Sequence, residues 1–332
     1  MARLIKASRL PALSGVLLAL ASGPAAAETY TVAITDMNLG VVTSGVTGDT
    51  LYRIDPSTGV VTRVSGTGTR VGGASANSVV TISCAAVAVG DCTKAVNVKI
   101  AVAGSPTKRA RALTRILDVM GTATLNGSPI GGPVGGFQIN PIGPNASKTF
   151  FVGADLGIAG DNTGLPTGDA ESDFSVFVAP APLSPTSGAI GRATVRVLRS
   201  ILMTKNSDLV FGRIALPSAG AGTVTIDPVT GVRTVTGGTP LGATAPSRAN
   251  FTVSGEGGQT FSVTVPATFQ LTGPTPPLTV TTTNSAGPTP TLSAALGAQG
   301  TFDLGVGGSF PIDATTTVGD YSGSFIVTVA YN

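Results

Sequence analysis

The sequence predicts an all-β protein of two tandem β-sandwich domains behind a cleaved export signal. Three observations predict it. Gly (45) and Pro (23) are abundant among 332 residues and only 11% are charged, while Val, Thr and Ala dominate the rest. Such a composition suits strands broken by frequent turns. Apolar and polar residues alternate in short runs such as FIVTVAYN (325–332), the period of a strand with one face in a core. One pattern also recurs along the chain, at an offset far too long for a solenoid. With 42% hydrophobic residues and few charges, collapse is favoured over disorder.

Residues 1–27 read as a secretory signal peptide. Arg3, Lys6 and Arg9 form a basic start, LPALSGVLLALASG is a short apolar stretch, and Ala25-Ala26-Ala27 supplies a small-residue cleavage pattern. The apolar run is too short and wrongly flanked for a membrane span. Nothing later approaches a transmembrane helix, so the protein is expected to be exported and not embedded in the membrane. Three of the 20 Lys and Arg lie in the signal, which leaves 17 basic against 17 acidic residues. The pI near 9.0 therefore belongs largely to the signal and does not indicate nucleic-acid binding.

The chain has no His. That removes Ser-His and Cys-His nucleophilic pairs, imidazole bases and His metal ligands together. The carboxylates are scattered among turns, so the sequence reads as that of a non-enzyme without cofactor or metal.

The first sandwich is placed at residues 28–182, a linker carrying a strand at 183–204, and the second sandwich at 205–332. IDPSTGVVTRVSGT (54–67) and IDPVTGVRTVTGGT (226–239) stand 172 residues apart, and Leu39-Gly40 meets Phe211-Gly212 at the same offset. In DPxTG the Asp opens a tight turn, the Pro sets φ and the Gly takes a left-handed position, so a hairpin is expected. GDAESDFSVFVA (168–179) and GDYSGSFIVTVA (319–330) match at an offset of 151, and VGADLGI (152–158) resembles VGGSFPI (306–312).

Within the first sandwich, Lys108, Arg109, Arg111 and Arg115 make a dense basic run. It suits contact with an acidic polysaccharide or lipid headgroups, or, as the favoured reading, a solvated edge bearing protective charge. Asp161, Asp169, Glu171 and Asp173 lack the calcium-loop spacing and read as turn chemistry. Cys84 and Cys92, the sole cysteines, are expected to form a disulfide across the ends of a hairpin, with Ser254 at the corresponding place in the second sandwich.

From about residue 208 onward, the sequence resembles a domain family of unknown function found in secreted Gram-negative proteins. The resemblance lies in DLVFGRI, TIDPVTG, RANFTVSGEGGQTFSVTVP, FDLGVGGSF and VGDYSGSFIVTVAYN. The closing residues are also similar to the ends of spore-coat-U-like and chaperone–usher pilus subunits. There an apolar alternation carries a penultimate Tyr, matched here by Phe325, Val327, Val329 and Tyr331.

The resemblance implies immunoglobulin-like, pilin-like sandwiches that lack a last strand and receive it from a neighbour by strand addition. A periplasmic chaperone and other fibre subunits are the implied partners. Phe325, Val327, Val329 and Tyr331 would be the partner-contact residues. After its matching strand the first sandwich continues into AIGRATVRVLRSILM, where Val195 and Val197 share a face. That segment is expected to complete the first sandwich or to run from it into the second.

The second sandwich shows no such continuation, and Glu28 leaves little length for a donor extension before the first strand. This implies a fimbrial subunit at one end of a fibre, a two-domain tip adhesin passing through the periplasm to the cell surface. The chief alternative is an autonomous exported sandwich that binds a surface glycan or polymer without polymerising. An outer-membrane barrel fits less well, since only 5% of residues are aromatic and Trp is absent.

Overall fold

The computed structural model describes residues 28–127, 134–242 and 244–332; the export-signal segment lies outside them. Among the described residues the regular secondary structure is β-strand apart from one short 3-10 turn at Asp161–Thr163. Among the described residues no helix is long and apolar enough to cross a membrane.

The N-terminal half contains β1 (Thr29–Ile34), β2 (Met37–Thr43), β3 (Thr50–Ile54), β4 (Val61–Ser65), β5 (Arg70–Gly72) and β6 (Ser78–Ala85). It continues with β7 (Val96–Ala103), β8 (Arg115–Met120), β9 (Val134–Ile139), β10 (Ala146–Ile158), β11 (Gly168–Pro180) and β12 (Ser187–Leu198). Two sheets result. One runs β1-β6-β10-β3-β4, with β8 on the other side of β10; the second runs β5-β2-β12-β11-β7-β9. Residues 187–198, expected in a linker, are thus an interior strand of the second sheet. Strict alternation explains the packing. In β6, Val80, Ile82 and Cys84 point inward, and they join Phe150, Phe174, Val176 and Val197 in one continuous core.

The C-terminal half contains β13 (Leu202–Ser207), β14 (Arg213–Ala215), β15 (Ala221–Ile226), β16 (Arg233–Thr236), β17 (Thr239–Leu241) and β18 (Ala249–Glu256). It continues with β19 (Phe261–Thr264), β20 (Thr268–Leu271), β21 (Leu278–Asn284), β22 (Gln299–Asp313) and β23 (Thr328–Tyr331). Its main sheet, β13-β18-β22-β15-β16 with β21 on the other side of β22, repeats the pairing of β1-β6-β10-β3-β4 with β8. β20 extends that sheet beyond β21, and the remaining strands form two separate pairs, β14-β17 and β19-β23. Its buried apolar residues likewise divide into two clusters, one around Phe261 and Leu304 and the other around Phe211 and Phe310.

The two DPxTG elements have the same internal bonding. Asp55 Oδ1 accepts from the Ser57 and Thr58 backbone N–H groups, and Asp227 Oδ1 does the same with Val229 and Thr230. Gly59 and Gly231 follow at φ 69° and 73°, a region that glycine enters without steric penalty. Each turn closes a hairpin, β3-β4 in one half and β15-β16 in the other.

Candidate functional site

One difference between the two halves lies at the strand position of β12. In the N-terminal half β12 lies antiparallel to β11, in register from Gly168↔Val197 to Val178↔Ser187, and parallel to β2, from Ala193↔Met37 to Leu198↔Thr43. Its inward residues Gly191, Ala193, Val195 and Val197 are buried. In the C-terminal half β23 pairs with β19 as β11 pairs with β7, and β14 pairs with β17 as β2 pairs with β5. No strand among the described residues lies between β14 and β23.

Burial follows from that difference. Ala170, Ser172, Phe174, Val176 and Val178 on β11 are at most 2% exposed. Their counterparts at an offset of 151 are Tyr321, Gly323, Phe325, Val327 and Val329. Only Val327 is buried, at 9%; Tyr321, Phe325 and Val329 are half-buried and Gly323 is exposed. Regular strand geometry also shrinks, from 13 residues in β11 to 4 in β23. A backbone without a partner on one side loses the ladder that holds it extended. Phe325 rests instead against Phe269, ring centroids 4.9 Å apart.

Tyr331 closes one end of this open position. Its hydroxyl donates to the Arg199 carbonyl (3.0 Å) and accepts from the Glu256 backbone N–H (2.7 Å). Burial pushes the phenol up to about 12, against a partial lowering by the Glu256 N–H bond. Gly255 makes the seat, since a Cβ there would collide with the hydroxyl.

Beside it the fully buried Glu256 carboxylate accepts from Thr167 Oγ1 (2.8 Å) and from the Gly297 and Arg199 backbone N–H groups. The Arg199 guanidinium stands 3.6 Å from the same carboxylate. Residues 199 and 200, which follow β12, are therefore held by both halves: Ser200 N–H donates to Asp161 Oδ2 (3.1 Å) and Ser200 Oγ to the Ser44 carbonyl (2.6 Å).

The structure sets Phe325, Val327, Val329 and Tyr331 along the run that borders the open position, with Ile326 turned outward at 78% exposure. The basic run, by contrast, is dispersed. Arg109 is fully buried, donating to the Leu165 carbonyl (2.7 Å), to Ser44 Oγ (2.7 Å) and to Asp161. That burial corrects its assignment as a polyanion contact. Arg111 makes a two-point bond to Asp49, and Arg115 on β8 sits in register with Asp155. Lys108 lines a groove with Asp169 and Arg196. Those two pair with each other, and Glu171 and Asp173 both stand 3.8 Å from Arg192.

Cys84 and Cys92 form the disulfide, Cα atoms 6.0 Å apart. It does not span a hairpin, because β6 and β7 belong to different sheets. Pairing across β10 and β22 also shows that Gly255, not Ser254, is the counterpart of Cys84. Sequence reasoning missed the Glu256–Arg199–Tyr331 junction. Its one visible signal was a carboxylate set among glycines, GEGG, at the end of an alternating strand.

Residues 201–331 match the model of a family described as a domain of unknown function (DUF4402). That range coincides with the C-terminal strand set and leaves the N-terminal set outside it. Among solved structures, the chain is similar to the CsuC–CsuE chaperone–tip adhesion subunit pre-assembly complex from archaic chaperone–usher Csu pili of Acinetobacter baumannii. Identity there is 10% and the TM-score 0.28, over 91% of this chain and 99% of that one. It is also similar to a chaperone–tip adhesin complex of CFA/I fimbriae biogenesis, at 11% identity and a TM-score of 0.22, over 90% of this chain and 96% of that one. No curated protein matches the chain.

Proposed function

We propose that this protein is an exported, non-catalytic surface subunit, a two-domain tip adhesin of a chaperone–usher type of fibre. In this reading residues 28–198 form a sandwich closed by its own β12. Residues 202–331 form a second sandwich that takes an extended strand from another chain between β14 and β23. The observation that carries the reading is the contrast at that one position, filled by β12 in the first half and by no described strand in the second.

The chemistry of the occupant follows from β12, which inserts small and β-branched side chains at every second residue. Burying a Val side chain stabilises by roughly 1.5–3 kcal/mol. An incoming segment with the pattern of Ala193, Val195 and Val197 would recover that stabilisation while pairing the free backbone edge of β23. Left open, the same edge and its half-buried Phe325 and Val329 invite aggregation, so a periplasmic chaperone that covers them is the expected early partner. The first sandwich, already closed, is then free to meet the target surface, for which a surface glycan is the ligand class.

The test is periplasmic expression of residues 28–332 with and without a pilus-type chaperone. The chaperone is expected to raise the soluble yield and to co-purify. An equally soluble, cooperatively stable monomer in both cases would instead favour the autonomous sandwich.

A further inference from the structure

The open position leads into a cleft shared by the two halves. We propose that the incoming segment is gripped there by the N-terminal half as well, through an acidic residue that meets Arg70. The proposal rests on the strand-addition reading above.

The cleft, about 460 Å³, has Ile201, Leu202, Val329 and Tyr331 on the C-terminal side and Thr69 and Arg70 on the N-terminal side. Its relation to the strand position follows from the closed half. There Ser187, the first residue of β12, stands opposite Val178 and donates to the Tyr30 carbonyl (2.7 Å). Val178 corresponds to Val329. Tyr30 pairs with Cys84, the counterpart of Gly255, and Leu202 pairs with Ser254, so Ile201 takes the place of Tyr30. A segment running in the sense of β12 therefore starts opposite Val329, beside Ile201. The residues preceding it pass Tyr331 into the cleft. Three or four of them in extended form span roughly 10–13 Å.

Charge then selects what those residues carry. Among the described residues, Arg70 is the only charged side chain lining the cleft. Its guanidinium donates to the carbonyl oxygens of Leu39 and Gly73 and, among the described residues, forms no ion pair. A guanidinium carries five N–H donors and pairs best with a carboxylate, so an acidic flank matches the cleft and a basic one is repelled. Thr69 and Thr43, which share a hydroxyl contact at 3.2 Å, add neutral polar groups along the same wall. The acceptor site thus extends beyond the half that carries the open position.

The experiment uses the mature chain, residues 28–332, and fluorescence anisotropy with three synthetic peptides. One is the β12 sequence SGAIGRATVRVL; the others carry Asp-Asp-Thr or Asn-Asn-Thr before it. All three are expected to bind, the Asp peptide about tenfold more tightly than the Asn peptide at low salt, with the gain shrinking at high salt. Arg70→Gln is expected to abolish that gain without altering binding of the bare peptide, and Arg70→Lys to retain part of it. Equal affinity of the Asp and Asn peptides, or a gain that survives Arg70→Gln, overturns the grip by the N-terminal half alone. Failure of every peptide to bind the wild-type chain overturns strand addition with it.

Discussion

Tyr331 links three parts of the chain through one oxygen. It donates to Arg199, accepts from Glu256, and needs the missing side chain of Gly255 for room. Tyr331→Phe keeps the ring and leaves a buried N–H and a carbonyl without this partner, so urea denaturation should show a loss of about 1–2 kcal/mol. Gly255→Ala should cost more, since the methyl group displaces the whole ring. The pH response follows from the raised phenol, whose neutral form the fold favours. Its contribution is complete below pH 10 and is lost as pH rises through about 12. The gap in stability between wild type and Tyr331→Phe should therefore narrow across that window. The alternation that placed Tyr331 on the inner face was legible from six neighbouring residues. Its partners were not, because Glu256 and Arg199 lie 75 and 132 residues away.

At the scale of elements, the DPxTG turns were fully legible and β12 only in part. Each turn is closed by groups within five residues of its Asp, so local sequence contains the whole bonding scheme. Those bonds hold the carboxylates down: the Ser57 and Thr58 hydroxyls and N–H groups bring Asp55 to about 2, and the Thr230 groups lower Asp227. A lowered carboxylate contributes stability above its ordinary pKa, near 4, and loses it as pH falls toward the folded value. Asp55→Ala should therefore lower the melting temperature at pH 7, with the difference from wild type fading as thermal scans approach pH 2. For β12, periodicity revealed a strand in the linker and left open whether it completes the first sandwich or runs from it into the second. Periodicity reports which residues share a face and says nothing about which neighbour supplies the hydrogen bonds. The disulfide shows the same limit, since its spacing indicated the bond but not that it ties β6 to the connection leading into the other sheet.

The whole molecule is two versions of one pairing scheme, one with a continuous core and one with its core divided. Among the described residues, β11 is paired along both edges, whereas β23 is paired along one. Hydrogen exchange should reflect this: amides of residues 321–331 should exchange far faster than those of 168–180, and saturating β12 peptide should slow them. Equal protection of the two segments without peptide would mean that the position is already filled. The junction around Glu256 and Asp161 holds residues 199 and 200 between the halves, which places the open position beside the N-terminal half. That proximity is what allows Arg70 to take part.

By itself the sequence determined the all-β class, the turns, the recurrence at offsets of 172 and 151, and the disulfide partners. These depend on backbone propensity, on period-two alternation and on a pair of cysteines without competitors. Only the tertiary structure decided that β12 fills the first half, that Arg109 is an internal anchor, and that no strand among the described residues lies between β14 and β23. Each of those outcomes depends on which distant segments meet. Strand pairing and burial are contests among partners far apart in the chain, and local pattern does not rank them.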